Sequence, residues 1–149
     1  MKLTLLGTGC PSIDYKRCGS SNLISTKNTK VLVDCGSGVT QRLNQSGNSS
    51  ADIDALLLTH LHTDHVVDLY QLIISSWHSD RDSIWKIYGP KGTKKFIEKI
   101  FLAWRDERKL RINYEKRKSI KALQYKVHEF NKKGIIKIND IKIKYFEVD

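Results

Sequence analysis

The chemically richest stretch of this sequence is a run of six residues with four metal-binding side chains, His60-Leu61-His62-Thr63-Asp64-His65. Imidazole nitrogens and carboxylate oxygens are the ligands that zinc prefers when its role is hydrolytic. Four such groups would crowd a single ion, so the spacing suits two adjacent ions. In an extended turn residues 60 and 62 lie on the same side, so His60 and His62 would face one ion while Asp64 and His65 face the other.

This arrangement predicts hydrolytic chemistry. Two neighbouring ions can share a bridging water, lower its pKa until hydroxide forms near neutral pH, and hold both reacting oxygens of a phosphodiester. We therefore predict a zinc-type hydrolase in which Asp64 binds metal and also steers a proton. The alternative is a set of surface histidines at the start of a helix, with Asp64 as the cap.

The elements that must position these residues alternate between strand and helix patterns, which predicts an α/β or α+β protein built in layers. Residues 53–58 form an apolar run, interrupted only by Asp54, that predicts a strand buried on both faces, and this strand leads directly into the histidines. Amphipathic helices are predicted over residues 66–77 and 93–110. Trp77, Trp85 and Trp104 are predicted to pack in the core, with stacking on nucleic-acid bases as the alternative. Further strands are expected at residues 2–6, 20–26, 30–34, 84–88, 123–130, 134–138 and 141–148, with a helix over 36–44.

Composition excludes several classes of protein. No run approaches the roughly 18 apolar residues of a membrane span, and residues 1–7 hold too few apolar residues for a signal peptide. We therefore predict a cytoplasmic protein with no membrane anchor. The three cysteines, Cys10, Cys18 and Cys35, form no C-x-x-C pair. Because their number is odd, we expect free thiols rather than a disulfide framework.

The excess of positive charge lies entirely in the second half of the chain. Residues 1–80 carry a net charge of −1, whereas residues 81–149 carry +11. This distribution would attract a phosphate backbone or another anionic substrate, with Lys91, Arg105 and Arg108 as candidate contacts. Because most of these cations are lysines of the kind that an AT-rich genome produces without selection, the charge supports a nucleic-acid substrate only weakly.

Several motifs resemble the metallo-β-lactamase superfamily. The sequence T-H-L-H-T-D-H at residues 59–65 is similar to the signature of that superfamily. Further matching motifs are L-G-T-G-C-P at residues 6–11, L-V-D-C-G-S-G at 32–38 and Y-G-P-K-G at 88–92. Together they are similar to the branch that contains ribonuclease Z, the tRNA 3′-end endonuclease, and the zinc arylsulfatases.

The resemblance implies an αββα sandwich with a dinuclear site at one edge of its two sheets, of which residues 1–149 would be one domain forming the N-terminal half. It implies two Zn²⁺ ions, with Mn²⁺ or Fe²⁺ as alternatives, and a metal-bridging hydroxide that cleaves a tRNA precursor. It also implies that Asp34 anchors the histidine loop from behind the ligands. The other role open to Asp34 is that of a helix cap before Gly36. A homodimer is left open.

The sequence departs from that family in its ligand set. Family members are longer and carry a third histidine on a later strand, whereas this sequence offers only two candidate ligands for each ion. Catalytic zinc usually takes three protein ligands. His78 and His128 are the remaining histidines and are weak substitutes. We therefore expect a C-terminally incomplete domain that holds metal less tightly than a complete site.

Two other functions are left open by the sequence. One is a hydrolase of the same fold that acts on an aryl sulfate or a small phosphodiester, because Trp77 and Arg81 are similar to residues of the arylsulfatase-type relatives. The other is a catalytically incomplete lobe that binds nucleic acid or a protein partner. Metal content and sensitivity to a chelator would separate an enzyme from such a binding module.

Overall fold

A computed structural model of the chain describes residues 1–148, and Asp149, the last residue of the predicted domain, lies outside the described part. The strands are β1 (Lys2–Gly7), β2 (Ser21–Ser25), β3 (Lys30–Val33), β4 (Ala55–Leu57), β5 (Trp85–Gly89), β6 (Tyr125–Glu129), β7 (Lys133–Ile138) and β8 (Ile141–Phe146). The α-helices are α1 (Val39–Gln45), α2 (Thr63–Val66), α3 (Leu69–His78), α4 (Thr93–Ala103) and α5 (Arg105–Glu115), and 3₁₀ turns cover Ser50–Asp52 and Lys121–Leu123.

Six of these strands form one mixed sheet in the order β1-β2-β3-β4-β5-β6. The pairs from β1 to β3 are antiparallel, whereas β3, β4, β5 and β6 run parallel to one another. Strands β7 and β8 form a separate antiparallel hairpin. Because parallel strands end at the same edge, the loops that follow β3 to β6 all emerge on one side of the sheet.

The sheet is covered on both faces, which gives the layered α/β architecture that the sequence predicts. Leu32 and Leu56 belong to a large buried cluster with the helices, whereas Val31 and Leu57 belong to a second cluster with the β7–β8 hairpin. Neighbouring residues of β3 and β4 therefore point to opposite faces, as the pleat of a strand requires. The strand predicted over residues 53–58 is present as the shorter β4, and its residues are buried on both faces, as predicted.

Two predicted helices are each divided in the structure, so their predicted extents are wrong. The first, over residues 66–77, is divided into α2 and α3 around Asp68, whose carboxylate accepts a hydrogen bond from the backbone N–H of Thr40 at 2.7 Å. The second, over residues 93–110, is divided into α4 and α5 at Trp104. Trp104 is 48% exposed and stacks on Tyr70 with ring centroids 5.1 Å apart, so it lies outside the core in which we placed it.

The structure also describes the environments of the cysteines and of two tryptophans. All three cysteines are free, and burial raises the pKa of the Cys35 thiol, so it is neutral at physiological pH. No helix within residues 1–148 is both long enough and apolar enough to cross a bilayer. Trp77 and Trp85 are fully buried core residues, as expected.

Arg81 joins the segment before β4 to the segment before β5. Its side chain is 4% exposed and stacks over the Trp85 ring at 4.2 Å. Its guanidinium donates hydrogen bonds to four backbone carbonyl oxygens, those of Ala51, Ile53, Ser83 and Ile84. Burial lowers the pKa of Arg81 to about 10, so the group remains charged at neutral pH.

We expect Arg81→Ala to lower the free energy of unfolding by about 3 kcal/mol, because it leaves several buried carbonyls without a donor. Urea unfolding followed by circular dichroism measures this change. Arg105→Ala is the matched control, because Arg105 is exposed and pairs only with the exposed Asp106 among the described ion pairs. The control should cost less than about 0.5 kcal/mol, and equal losses in the two variants would contradict a structural role for Arg81.

Candidate metal centre

The candidate site lies at the edge of the sheet where the four parallel strands end. Asp34 directly follows β3, Phe130 directly follows β6, and the histidine loop begins within three residues of the end of β4. Lys91 lies two residues after the end of β5. Residues far apart in the sequence therefore meet because their strands are parallel neighbours, at the edge where open α/β sheets commonly bind ligands.

Asp34 connects the end of β3 to the histidine loop. It is 3% exposed, and its backbone φ of 62° lies in the left-handed region that few non-glycine residues occupy. Its carboxylate accepts hydrogen bonds from the backbone N–H of Thr59 at 2.8 Å and from the Thr59 hydroxyl at 2.8 Å. The same carboxylate lies 2.8 Å from Nδ1 of His65.

Asp34 does not act as the cap of α1 that was the alternative from the sequence. The residue before that helix is Gly38, which makes no side-chain cap. The donor at Thr40 is instead satisfied by Asp68, a residue to which sequence reasoning assigned no role. Asp68 comes from the segment between α2 and α3, and no local sequence pattern connects it to a helix nearly thirty positions earlier.

The hydrogen bonds determine which ring nitrogens of His60 and His65 remain free. Because a carboxylate only accepts, Nδ1 of His65 must donate to Asp34. The single hydroxyl proton of Thr59 is also directed at Asp34, so the Thr59 oxygen accepts from Nδ1 of His60 at 3.0 Å. Both imidazoles are thereby held with Nδ1 protonated, and the lone pair of Nε2 is left free for a metal ion.

Sequence reasoning assigned no individual role to Thr59. It is the residue that joins two parts of the site, because its backbone and hydroxyl both bond to Asp34 while its oxygen faces His60. Its position directly before the first histidine was the available signal. The hydrogen-bond pattern could not be foreseen, because the acceptor lies 25 positions earlier in the sequence.

The predicted metal ligands lie side by side. The ring centroid of His60 is 4.0 Å from that of His65 and 4.7 Å from that of His62. Nε2 of His65 lies 3.5 Å from a carboxylate oxygen of Asp64. Burial and the neighbouring rings of His65 and His62 lower the pKa of His60, which favours the neutral form that ligation requires.

The donor set fits divalent cations in its chemistry but supplies few ligands for each ion. Within residues 1–148 no three His, Cys, Asp or Glu side chains are arranged to hold one ion. Further coordination positions would therefore fall to water, to substrate or to additional polypeptide.

The backbone of the metal loop packs directly against glycines. A Cβ atom added to Gly36 would overlap the carbonyl oxygen of Asp64 and would lie 2.6 Å from the backbone of Gly19 and Ser20. Close packing of this kind leaves no room for a side chain at position 36. The missing side chain at Gly36 therefore allows the chain after β3 to pack directly against the backbone of the candidate ligand Asp64.

The other candidate residues are dispersed. Lys91 lines a groove together with His60, whereas Arg105 pairs with Asp106. Arg108 donates to the carbonyl oxygen of Phe101 at 2.8 Å and lies over the ring of that residue, so it stabilises the end of α4. Among these three candidates, only Lys91 lines the groove beside the histidine cluster.

The two remaining histidines have partners of their own. His78 lies 3.4 Å from a carboxylate oxygen of Glu115, at the end of α5. His128, on β6, stacks on Tyr88 with ring centroids 5.0 Å apart. These contacts give each ring a local role that does not involve metal.

The segment at residues 89–92 also has a local explanation. Glu129 accepts hydrogen bonds from the backbone N–H groups of Gly92 and Lys94, both at 2.9 Å. These are the amides that a phosphate at the start of α4 would use. The segment therefore acts as a strand-to-helix turn capped by a protein carboxylate.

We expect Thr59→Val to weaken Zn²⁺ binding by roughly 10- to 100-fold, because Nδ1 of His60 loses the partner that sets its tautomer. Isothermal titration calorimetry measures the affinity, and ¹⁵N NMR of the imidazoles reports the tautomer directly. Thr59→Ser keeps the hydroxyl and should retain affinity. Thr63→Val alters an exposed threonine of the same loop and should have little effect. Unchanged affinity and tautomer in Thr59→Val would contradict this assignment.

We expect Gly36→Ala to destabilise the fold by about 3 kcal/mol, because the new methyl group overlaps a packed backbone. The control is Gly47→Ala, where no atom lies within 4 Å of the added Cβ and only the φ of 78° causes strain. That strain costs about 1 kcal/mol. Urea unfolding compares the two variants, and a smaller loss at Gly36 than at Gly47 would contradict the close packing.

Comparisons with known proteins agree with this geometry. The family described as "Anti-Pycsar protein Apyc1" matches residues 1–149. Ribonuclease Z of Mycolicibacterium gilvum is 43% identical over 108 residues, which cover 70% of this chain and 37% of that protein. Ribonuclease Z of Mycobacterium bovis is 40% identical over 107 residues, which cover 70% and 38%. The chain therefore spans about two fifths of the length of these curated relatives.

Solved structures share the fold. Human tRNase Z, short form, superposes with a TM-score of 0.69 at 28% identity, covering 87% of this chain and 45% of that one. YhfI of Bacillus subtilis, a metallo-β-lactamase fold protein, gives a TM-score of 0.67 at 19% identity over 94% of this chain and 49% of that one. The predicted fold class and the predicted resemblance are confirmed.

The match of the family profile along the whole sequence decides the assignment: this chain belongs to the Anti-Pycsar protein Apyc1 family, has the metallo-β-lactamase fold and is related to ribonuclease Z.

Proposed function

We propose that this chain carries the histidine-rich part of a metal-dependent phosphodiester hydrolase of the ribonuclease Z type. His60 and His62 would hold one divalent ion, and Asp64 and His65 would hold a second. Asp34 would keep the ring of His65 in place from behind. RNA, with the 3′ end of a tRNA precursor as the leading substrate class, would be cleaved.

The observation that carries this proposal is the hydrogen-bond chain from Asp34 through Thr59 to His60, together with the bond from Asp34 to His65. A histidine that serves only as a surface residue has no need of a buried carboxylate to orient it. Two neighbouring imidazoles held in the same tautomer, each with Nε2 free, are what a metal site requires.

Nitrogen and oxygen donors of this kind favour Zn²⁺, with Mn²⁺ or Fe²⁺ as alternatives. When bound, the ions would supply the Lewis acidity that activates water towards a phosphodiester. The chain's own residues would orient the ligands and accept protons. The Asp64 carboxylate, beside the His65 ring, is the group placed to steer a proton during the displacement.

Three lines of support favour a nucleic-acid phosphodiester as substrate. The curated relatives are ribonuclease Z enzymes, the second half of the chain is strongly basic, and Lys91 shares a groove with His60. The basic end of α5 contributes less than its composition indicates, because Arg111 pairs with Glu107 and Glu115. A small phosphodiester is the alternative within the same chemistry.

The arylsulfatase alternative has no support from the described residues. Trp77 and Arg81, on which it depended, are both buried in the structure. Trp77 donates to the carbonyl oxygen of Ser119, and Arg81 bonds to backbone carbonyls. These side chains stabilise the fold and do not face a substrate.

We also propose that residues 1–149 form one domain that contributes part of a larger active site. The support is the span of about two fifths of the ribonuclease Z relatives, together with a sequence that offers two candidate ligands for each ion. Location in the cytoplasm and self-association as a homodimer stay predictions of the same kind.

We expect a protein that contains this chain together with the rest of the proposed active site, loaded with Zn²⁺, to hydrolyse bis(p-nitrophenyl) phosphate and a precursor tRNA, with activity abolished by chelator. His62→Ala should lower kcat/KM by at least about 100-fold, because it removes a predicted ligand and with it the metal-ion chemistry. His128→Ala is the control, because that exposed histidine lies on β6 and should leave activity intact. Cleavage of the aryl ester without cleavage of the tRNA would favour the small-phosphodiester alternative.

Metal content separates the enzyme from a non-enzymatic lobe. Two tightly held ions per chain with chelator-sensitive turnover would support the hydrolase. Less than one ion per chain and no hydrolysis of either ester would instead support a module that binds nucleic acid or a protein partner.

A further inference from the structure

A groove of about 930 Å³ lies beside the candidate metal centre. Thr59 and His60 line it, together with residues 143–148, from β8 and the segment that follows. Phe130 and Lys132, from the segment between β6 and β7, also line it. Its volume lies in the range of ligand-binding clefts. Of the four candidate ligands only His60 lines the groove, so most of its lining residues have no proposed role in binding the ions.

Two stacked aromatic rings line the groove. The rings of Phe130 and Tyr145 have centroids 4.4 Å apart and an interplanar angle of 25°. Tyr145 lies across Gly134, its direct partner on β7, since a Cβ atom at Gly134 would overlap the Tyr145 hydroxyl. The glycine therefore makes room for the ring, and the stacked pair is held in place before any ligand binds.

Lysines also line the groove. Lys91, Lys132 and Lys144 are all among its lining residues, and all three are exposed. Glu147 is the single acidic residue among the lining residues. The groove therefore combines an aromatic stack with a net positive charge, which is the combination that proteins use to bind single-stranded nucleic acid.

We propose that this groove is a nucleoside subsite, in which a base of the substrate stacks on the Phe130–Tyr145 pair. The lysines would hold the phosphates that flank this nucleoside, which places the adjoining phosphodiester at the histidine cluster. The proposal rests on the proposed function in one respect, because it takes the reacting phosphate to lie at that cluster. It adds that the substrate is recognised by the π-face of a base and by phosphate charge, without readout of base identity.

The charge of the groove distinguishes this occupant from an apolar peptide. A hydrophobic strand added along the hairpin would bury Phe146 and Val148, which are 67% and 77% exposed, but it would also desolvate the lysines without neutralising them. A nucleotide satisfies both features, since it offers an aromatic face to the rings and an anion to the cations.

Binding of adenosine 5′-monophosphate to the metal-free chain, in the presence of chelator, tests the subsite by isothermal titration calorimetry. Ribose 5-phosphate is the matched probe, because it carries the same phosphate and sugar without a base. We expect adenosine monophosphate to bind roughly tenfold more tightly than ribose 5-phosphate, which is the scale of one base–aromatic stack.

Variants of the groove identify which side chains are responsible. Tyr145→Leu and Phe130→Leu should each remove most of the preference for the nucleotide over ribose 5-phosphate. Lys144→Gln should weaken both probes by the same factor. Tyr114→Leu alters a tyrosine of α5 that is 80% exposed and should change neither affinity. Circular dichroism verifies folding, and because the two aromatic substitutions lie on different segments, either variant alone tests the stack.

Equal affinity for the two probes, no detectable binding of adenosine monophosphate, or an unchanged preference in folded Tyr145→Leu and Phe130→Leu would overturn the subsite. Because binding is measured without metal, these outcomes are independent of hydrolysis. A chain that binds the nucleotide but shows no metal-dependent turnover keeps the subsite and loses the proposed hydrolase. A chain that hydrolyses esters but binds adenosine monophosphate no more tightly than ribose 5-phosphate keeps the proposed hydrolase and loses the subsite.

Discussion

The arrangement of the candidate site depends on one buried carboxylate. Asp34 lies at the end of β3 in a left-handed conformation, and it accepts hydrogen bonds from both the backbone and the side chain of Thr59 and from His65. A buried carboxylate needs several donors to offset its desolvation. The histidine loop supplies these donors. The same hydrogen bonds therefore satisfy the buried carboxylate of Asp34 and orient the candidate ligands.

The parallel part of the sheet makes those contacts available. Asp34, the histidine loop, Lys91 and Phe130 follow four neighbouring parallel strands and therefore meet at one edge. The backbone ladder continues past the strand ends, since the N–H of Asp34 donates to Leu57 and that of Phe130 donates to Gly89. The loops thus leave the sheet in register, and this register sets the distance between the metal loop and the groove.

The structure shows where the basic residues lie relative to the edge of the sheet that carries the candidate site. On α5 Arg111 pairs with both Glu107 and Glu115, and Arg108 and Arg81 bond to backbone carbonyls. The lysines that line the groove beside His60 are fewer, but they lie next to an aromatic pair. Position relative to the sheet edge, more than the net charge, indicates where an anionic substrate would bind.

The sequence by itself determined the layered α/β class, the buried strand that leads into the histidines and the identity of the clustered donors, because these are local patterns of apolar period and residue type. It could not show that two predicted helices are divided at Trp104 and at Asp68. Trp104 stacks on Tyr70, and Asp68 accepts a hydrogen bond from Thr40, and both partners lie on other elements. Only the tertiary structure showed that Thr59 connects Asp34 to His60, and that Phe130 and Tyr145 stack beside the site. Folding of the chain brings these residues together, and local propensity does not predict their contacts.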